Sequence, residues 1–439
     1  MSDKTFRERP YFTFLSHAHA DKVVVDRIND FLSRCAGIPV WYDSTHIQAS
    51  EVITSKLPEY IEQCRSMMLI ISESSINSGW IREERDYAML QRAKHHKFQI
   101  IPVLIDKKLQ IDRPPLSDFM GFINATKSII VDFTEPEKEL VSFANLIKAF
   151  YCHDPLLKNS RDVYVSRSWR ESEAPLSDKV CRCLIEKGFR LIGDLEDQTG
   201  FDKGDRVSSI MASCGGFVAI VPDRGGGTTS KYILKEVEIA ASKNLPCLIV
   251  AEPTVKFPET FGIPIVRITS ENIPSDIPDF RIASESFIEE WNVPGPEMTH
   301  YVFYATDIDK TNQSRNTYIK EIIQSVTAMP CMLGEDIRED KVQESIINRI
   351  NNAYFMIADI SEDNLNTCIE AGIARGTCTK LYLIAKEPRR SPPFMFRDSQ
   401  VFHYANNSEL LGLVHRIIYP HRRRVINHEL DSNYGLNTR

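Results

Sequence analysis

Three tandem α/β modules, each a parallel sheet with helices on both faces, are the fold class this sequence predicts. Three observations point to it. Short apolar runs alternate with segments of helical period along the chain, the pattern of strands joined by crossover helices. One layout recurs three times: an apolar strand, a polar loop, a helix carrying a glutamate, then a further strand. The strands are 68–72, 217–221 and 354–358, and the glutamates are Glu84, Glu236 and Glu370. Those glutamates stand roughly 150 and 130 residues apart, a domain-sized period and not that of a solenoid. Finally, 439 residues suit about three domains of ~150 residues.

In the first module, runs 11–15, 38–42, 67–71 and 100–105 read as strands, and 21–35, 52–64 and 80–93 as helices. Parallel strands then follow from right-handed crossovers. The module is expected to span 1–151, because 151–160 carries His153, Asp154 and Pro155 between a helix and the strand 162–165. The second module, 161–292, continues through strand 217–221, a Gly-rich loop, the helix of Glu236 and strand 247–250. Val293-Pro-Gly-Pro-Glu-Met298 ends it, since neither helix nor sheet continues through two prolines and a glycine. The third, 299–420, opens on strand 301–304 and contains 354–358, the helix of Glu370 and 381–384. Past Pro420, His421-Arg-Arg-Arg424 and the polar residues to 439 read as a frayed, solvated tail.

Composition narrows the function. Lys plus Arg is 53 and Asp plus Glu is 60, a net charge of −7. That acidic balance lacks the basic footprint of a DNA-binding protein. No apolar run approaches the ~20 residues of a membrane span, and the charged first ten residues do not read as a secretory leader. The ten cysteines form no C-x-x-C pair and no zinc-spaced cluster with histidine, so a reduced cytoplasmic protein without structural metal or disulfides is expected.

Polar residues at strand ends are placed for function, because open α/β sheets bind ligands beyond the carboxyl ends of their strands. Ser16 ends the first strand, followed by His17, His19 and Asp21. The two histidines lack a third ligand for a metal, and Asp21 suits a helix N-cap. Asp43 ends the second strand and Ser72 the third. Asn77 or Ser78 can cap the next helix, on which Trp80 and Glu84 lie four apart and share a face. An indole beside a carboxylate can stack a flat cation and hold a ribose. The structural alternatives are a packing indole and an exposed carboxylate complementing a helix dipole.

Phe12-Thr-Phe-Leu-Ser-His-Ala-His-Ala-Asp21, Val40-Trp-Tyr-Asp43, 68–75 and Ser78-Gly-Trp-Ile-Arg-Glu-Glu84 together resemble the Toll/interleukin-1 receptor (TIR) domain family in its bacterial form, over about residues 8–150. The resemblance implies a flavodoxin-like sheet in each module and, for many members, cleavage of NAD⁺ at the nicotinamide–ribose bond. It implies that Glu84, on a W-x-x-x-E element with Trp80, is catalytic. Ser16, Asp43, Ser72 and Trp80 would surround the substrate. The loop 43–51 would shape access and self-association; it reads Gln48-Ala49-Ser50 where the family often has a glycine turn.

In the second module, Tyr232 and Glu236 repeat the four-residue spacing. The loop at Gly225, Gly226 and Gly227 precedes a helix, so its N–H groups could cradle phosphate, although it is neither G-x-G-x-x-G nor a P-loop; a mobile loop is the alternative. Arg167 and Arg170, flanking Trp169, could hold a phosphate and base, or be solvated loop charges. In the third module, Asp359 and Glu370, in Ala358-Asp-Ile-Ser361 and Cys368-Ile-Glu-Ala-Gly, resemble the nucleoside 2-deoxyribosyltransferase-like families, where such a glutamate attacks the sugar. The architecture resembles bacterial antiphage effectors in which a TIR domain is switched on by a cyclic nucleotide. The leading expectation is an NAD⁺-consuming hydrolase that takes NAD⁺ as substrate, uses no metal, and self-associates when the second and third modules bind a nucleotide second messenger. A non-catalytic TIR adaptor and a nucleoside-processing enzyme working through Glu370 are the other two readings.

Overall fold

The computed structural model describes residues 9–426 except 43–52, 96–97, 111–112, 121–129, 152–160, 169, 194–206, 209, 212, 257–262, 264, 293–300, 338–341, 362–363 and 389–391. The first sheet comprises β1 (Thr13–Ser16), β2 (Val40–Trp41), β3 (Ser66–Ile71), β4 (Gln99–Leu104) and β5 (Val131–Asp132), in the order β2-β1-β3-β4-β5. Its helices are α1 (Lys22–Asp30), α2 (Ile53–Glu62), α3 (Glu73–Asn77), α4 (Gly79–Lys94) and α5 (Glu139–Phe150), with a π-helical turn at Phe31–Cys35 after α1. β3 is buried along its length because helices cover both faces of a parallel sheet.

The second sheet uses β6 (Arg161–Ser166), β7 (Phe189–Gly193), β8 (Gly216–Val221), β9 (Cys247–Ala251) and β10 (Ile265–Arg267), with helices α6 (Ala174–Glu186), α7 (Lys231–Ser242) and α8 (Pro278–Asn292). The third uses β11 (Val302–Ala305), β12 (Cys331–Leu333), β13 (Phe355–Asp359), β14 (Leu381–Lys386) and β15 (Val401–Tyr404), with α9 (Gln313–Thr327), α10 (Val342–Asn351), α11 (Leu365–Gly376) and α12 (Asn407–Ile418). Each sheet keeps the strand order 2-1-3-4-5 of the first, so the three flavodoxin-like modules expected from the repeated layout are present.

The expected tail is overturned between 421 and 426. β16 (Arg424–Val425) pairs antiparallel with β7, and Arg423 is 1% exposed. The arginine run is therefore partly an interior feature. Asp162, at the start of β6, accepts from Arg190 Nε at 2.6 Å and Nη2 at 2.5 Å, and Arg423 Nη1 lies 2.9 Å away. Both arginines also donate to the carbonyl of Ala328, just past the end of α9. Two cations thus complement the negative end of a helix from the third module while sharing one carboxylate of the second.

The first and third modules share one apolar core. It runs from Leu15 and Ile147 through Ile322 and Ile323 to Leu410 and Val414. α5 packs on α9, and α12 packs on the π-helical turn after α1. The last helix of each module thus meets the first helical segment of the other, a pseudo-two-fold arrangement within one chain. Burial from two sides explains why Phe143, Ala144, Leu146, Ile147, Ala149 and Phe150 of α5 are all inside. α8, the counterpart in the second module, buries Phe280, Ser284 and Phe287 but leaves Ile282 59% exposed, an ordinary amphipathic pattern.

His415 pins the shared core. Its Nδ1 lies 2.7 Å from the Ala36 carbonyl and its Nε2 2.7 Å from the Tyr151 hydroxyl. Burial pushes its pKa down to about 4, so the ring is neutral, Nδ1–H donates and Nε2 accepts. Beside it, a Cβ on Gly412 would sit 2.5 Å from the backbone carbon of Cys35. Backbone cannot yield as a side chain tip can. Gly412→Ala is therefore expected to destabilise the chain by about 1–3 kcal/mol in chemical denaturation, by overpacking. An unchanged denaturation midpoint would contradict this close approach.

Candidate functional site

Glu84 occupies a core position. The inward residues of α4 are Ile81, Glu84, Ala88 and Gln91, spaced as a helix stripe facing the sheet. A carboxylate in such a stripe is costly unless hydrogen-bonded. Its partner comes from β1, where alternation places Phe14 and Ser16 on the face that α4 covers. Ser16 Oγ donates to Glu84 Oε2 at 2.5 Å, and the carboxylate is 6% exposed. The position of α4 is set by its cap, Ser78, whose Oγ accepts from Ile81 N at 3.4 Å. Trp80, one turn before Glu84, is half-buried against the same apolar cluster.

Ser16 and Glu84 are thus brought together, with Trp80 one turn away on the same helix. Ser72, just past β3, has its hydroxyl engaged elsewhere. It caps α3 by accepting from Ser75 N at 3.0 Å, and donates to Asp21 at 2.6 Å. Asp21 precedes α1 but makes no side-chain cap; its carboxylate takes the stronger bond from Ser72. Asp43 lies outside the described residues.

The other two modules carry a glutamate at the same station. In the second, Glu236 belongs to the buried stripe Ile233, Glu236, Val237 and Ala240 of α7. It accepts from Tyr164 at 3.0 Å, with Ser166 beside it. Ser166 corresponds to Ser16, and Tyr164 stands where the first strand has Phe14. Superposing the strands Phe14-Leu-Ser16, Tyr164-Val-Ser166 and Phe303-Tyr-Ala305 would have revealed this from the sequence. In the third, Ala305 replaces the serine, and Glu370 instead faces Gly334, where a Cβ would lie 3.3 Å from its Oε1.

Burial pushes the Glu236 carboxyl from 4.5 up to about 7. The folded chain then holds this proton more tightly than the unfolded chain. The associated stability is full below pH ~4.5 and declines as pH rises through about 7. Glu236→Gln should accordingly match wild type in thermal melts near pH 5 and exceed it near pH 8. A difference in Tm that is the same at both pH values would argue against this environment.

The second module's other expected contacts are engaged internally. Arg167 pairs with Asp178 at 3.0 Å and is 9% exposed at its side chain. Arg170 is exposed and approaches Glu173 at 3.7 Å. The glycine loop does form backbone of positive φ at Gly225, Gly226 and Gly227, which suits glycine. However, the Gly225 and Gly227 N–H groups donate to Asp223, at 2.8 and 3.2 Å. A carboxylate thus occupies the cradle expected for phosphate. Unforeseen from sequence, Arg224 makes a two-pronged contact with Glu173 at 3.0 Å. Trp169 lies outside the described residues.

Asp359 and Glu370 do not share a pocket. Alternation along β13 puts Asp359 on the face of Phe355 and Ile357, under α9 and α12. Glu370 rides on α11, which covers the opposite face with Ala371 and Ala374. Asp359 accepts from Tyr404 at 2.8 Å and from Ser361. Burial raises the Glu370 carboxyl to about 7. Among the described residues no group of His, Cys, Asp and Glu is arranged to hold a metal ion, and no helix is long and apolar enough to cross a membrane.

Residues 13–146 match the family model described as TIR domain, and this segment is a TIR domain. Among solved structures, the TIR domain of the Toll-related Receptor TRR-2 from Hydra magnipapillata is similar at 16% identity, covering 32% of this chain and 98% of that one, with a TM-score of 0.24. The C-terminal domain of glucosamine-fructose-6-phosphate aminotransferase from Francisella tularensis aligns at 10% identity over 66% of this chain and 95% of its own, with a TM-score of 0.22. Tagatose-6-phosphate ketose/aldose isomerase from Escherichia coli aligns at 12% identity over 65% and 86%, with a TM-score of 0.18. Comparison with curated proteins finds no match.

Proposed function

We propose that the TIR domain is an NAD⁺ glycohydrolase, held silent until residues 161–420 bind a nucleotide, and that the chain acts as a cytoplasmic effector of bacterial antiphage defence. The observation that carries this reading is the Ser16–Glu84 pair, a carboxylate placed at a core position beyond the end of a central strand. Nicotinamide leaves as a neutral base from a cationic nucleotide, so its departure needs no general acid. The C–N bond breaks with its electron pair going to nicotinamide, and positive charge develops on the ribose. A carboxylate nearby stabilises that oxocarbenium-like state. Ser16 holds the carboxylate in position, and Trp80 offers a flat apolar wall to the leaving ring. Water then adds to the anomeric carbon and gives ADP-ribose; an internal nucleophile would give a cyclic product.

Silence before activation has a physical rationale, because uncontrolled NAD⁺ loss is lethal. Catalysis that waits on ligand-driven self-association meets this need, provided the ligand binds the assembled form more tightly. Glu236 and Glu370 are assigned no part in NAD⁺ cleavage, the first because its module has neither the Ser-His strand end nor the tryptophan of the first, the second because its surroundings resemble a different family. Glu370, raised to about 7, keeps open a second reading as a nucleoside-processing centre. Incubating the full chain with NAD⁺, with deoxynucleosides, and with NAD⁺ plus a cyclic-nucleotide panel separates these readings by the base released. Nicotinamide appearing only with a nucleotide present is the expected result. Free base from deoxynucleosides alone would replace this reading with the second.

A further inference from the structure

We propose that the third module binds a phosphate-bearing nucleotide at the switch point of its sheet, with Arg315 as the phosphate contact and Asp359 as acceptor for a ligand hydroxyl. The inference deepens the sensor reading and rests on it. In the order β12-β11-β13-β14-β15, the connections reverse direction between β11 and β13. Ligands of open α/β sheets lie in the crevice beyond that point. Thr306, just past β11, and Asp359, at the end of β13, flank it, on the face covered by α9.

Three features single out this crevice. Arg315, in the first turn of α9, donates to Thr306 at 3.1 Å and to Asn316 at 3.1 and 3.2 Å. All its hydrogen-bond partners are neutral, so a half-buried guanidinium is oriented while its charge is left without a carboxylate contact among the described residues. Second, the fully buried Tyr304 hydroxyl lies near Thr306, Asp359 and Arg315 without a partner in hydrogen-bond geometry. A buried hydroxyl in that state is destabilising unless something completes it. Third, Asp359 receives Tyr404 and Ser361 but retains acceptor capacity. Of the nearby acids, Asp309 is occupied by Thr311 N at 2.8 Å, and Asp307 receives Asn312 at 3.4 Å.

A cation, an orphan hydroxyl and a carboxylate in one crevice match a phosphate and a sugar hydroxyl on one molecule. Guanidinium suits phosphate in charge and in its planar fork. The helix that carries Arg315 also touches the other two modules. Glu321 of α9 pairs with Lys148 of the TIR domain at 2.6 Å, and the carbonyls at its far end are held by Arg423 and Arg190. Phosphate bound at Arg315 therefore acts on an element that all three modules share.

Titration calorimetry of the full chain with 5′-AMP, cyclic di-AMP and adenosine tests this. At least one phosphorylated probe should bind more tightly than adenosine. Arg315→Gln should weaken that probe by roughly tenfold or more, leave adenosine unchanged and preserve Tm, and Arg315→Lys should recover part of the loss. Tyr304→Phe should weaken the same probe with little change in Tm, because Thr306 lies beside its hydroxyl and no group meets it in hydrogen-bond geometry. Equal affinities in wild type and Arg315→Gln, absence of binding by either phosphorylated probe, or a several-degree fall in Tm for Tyr304→Phe would overturn the assignment. Binding that depends on Arg315 without any nicotinamide release would uphold this site and refute the NAD⁺ reading. Nucleotide-stimulated release that survives Arg315→Gln would do the reverse.

Discussion

Glu84→Gln is expected to reduce nucleotide-stimulated nicotinamide release about a hundredfold or more, with little change in Tm. Glutamine keeps the size of the side chain and an oxygen that accepts from Ser16, so packing and the 2.5 Å contact are retained in kind. What disappears is the negative charge. A preorganised charge facing a developing ribose cation contributes a few kcal/mol to the barrier, and each ~1.4 kcal/mol is a factor of ten in rate. The measurement is initial rate at saturating activator, with a thermal melt of the same sample. Turnover within a few-fold of wild type would remove Glu84 from the chemistry. A collapse of Tm alongside the lost rate would assign it a structural role instead.

The largest stability effect is expected at Asp162. Its carboxylate is shared by Arg190 and Arg423, at side-chain exposures of 6%, 10% and 1%. Asp162→Ala leaves two guanidiniums buried beside one another with only neutral acceptors, the carbonyls of Ser213, Thr327 and Ala328 and the Ser213 hydroxyl. Breaking a buried pair in this way costs about 3–5 kcal/mol, and here two cations lose one anion. Chemical denaturation should show the loss first in the second module and the strand 424–425 attached to it. Asp162→Asn, which keeps an acceptor, should cost less. A loss under about 1 kcal/mol for the alanine variant would mean that water reaches the cluster.

The fold was legible because its signal is local. Runs such as 68–72, 217–221 and 354–358 are buried strands that declare themselves by composition alone, and each sheet repeats one strand order. The pairing of Ser16 with Glu84 was accessible for a related reason: a strand-end serine and a helix glutamate are placed by the topology itself. Long-range arrangement was harder to read. Nothing local says that His415 reaches Ala36, or that Arg423 reaches Asp162. One clue was present in 410–418, where Arg416 is the one charged residue and the apolar positions are too dense for a single buried face. The glycine loop misled because Gly-rich backbone can take its anion from within, here Asp223. Asp359 and Glu370 were grouped by a resemblance to the nucleoside 2-deoxyribosyltransferase-like families, whereas strand alternation and helix placement send them to opposite faces.

The pseudo-two-fold packing of the first and third modules has a consequence for solution behaviour. Two surfaces of the kind that form a symmetric dimer are covalently joined here, so their encounter has a fixed effective concentration and is insensitive to dilution. The α5 face of the TIR domain is consequently already saturated in every molecule, at any protein concentration. Any concentration-dependent step must be built from the remaining surfaces, and its midpoint measures those alone. A dilution series would then separate two energies that a freestanding TIR domain would report as one.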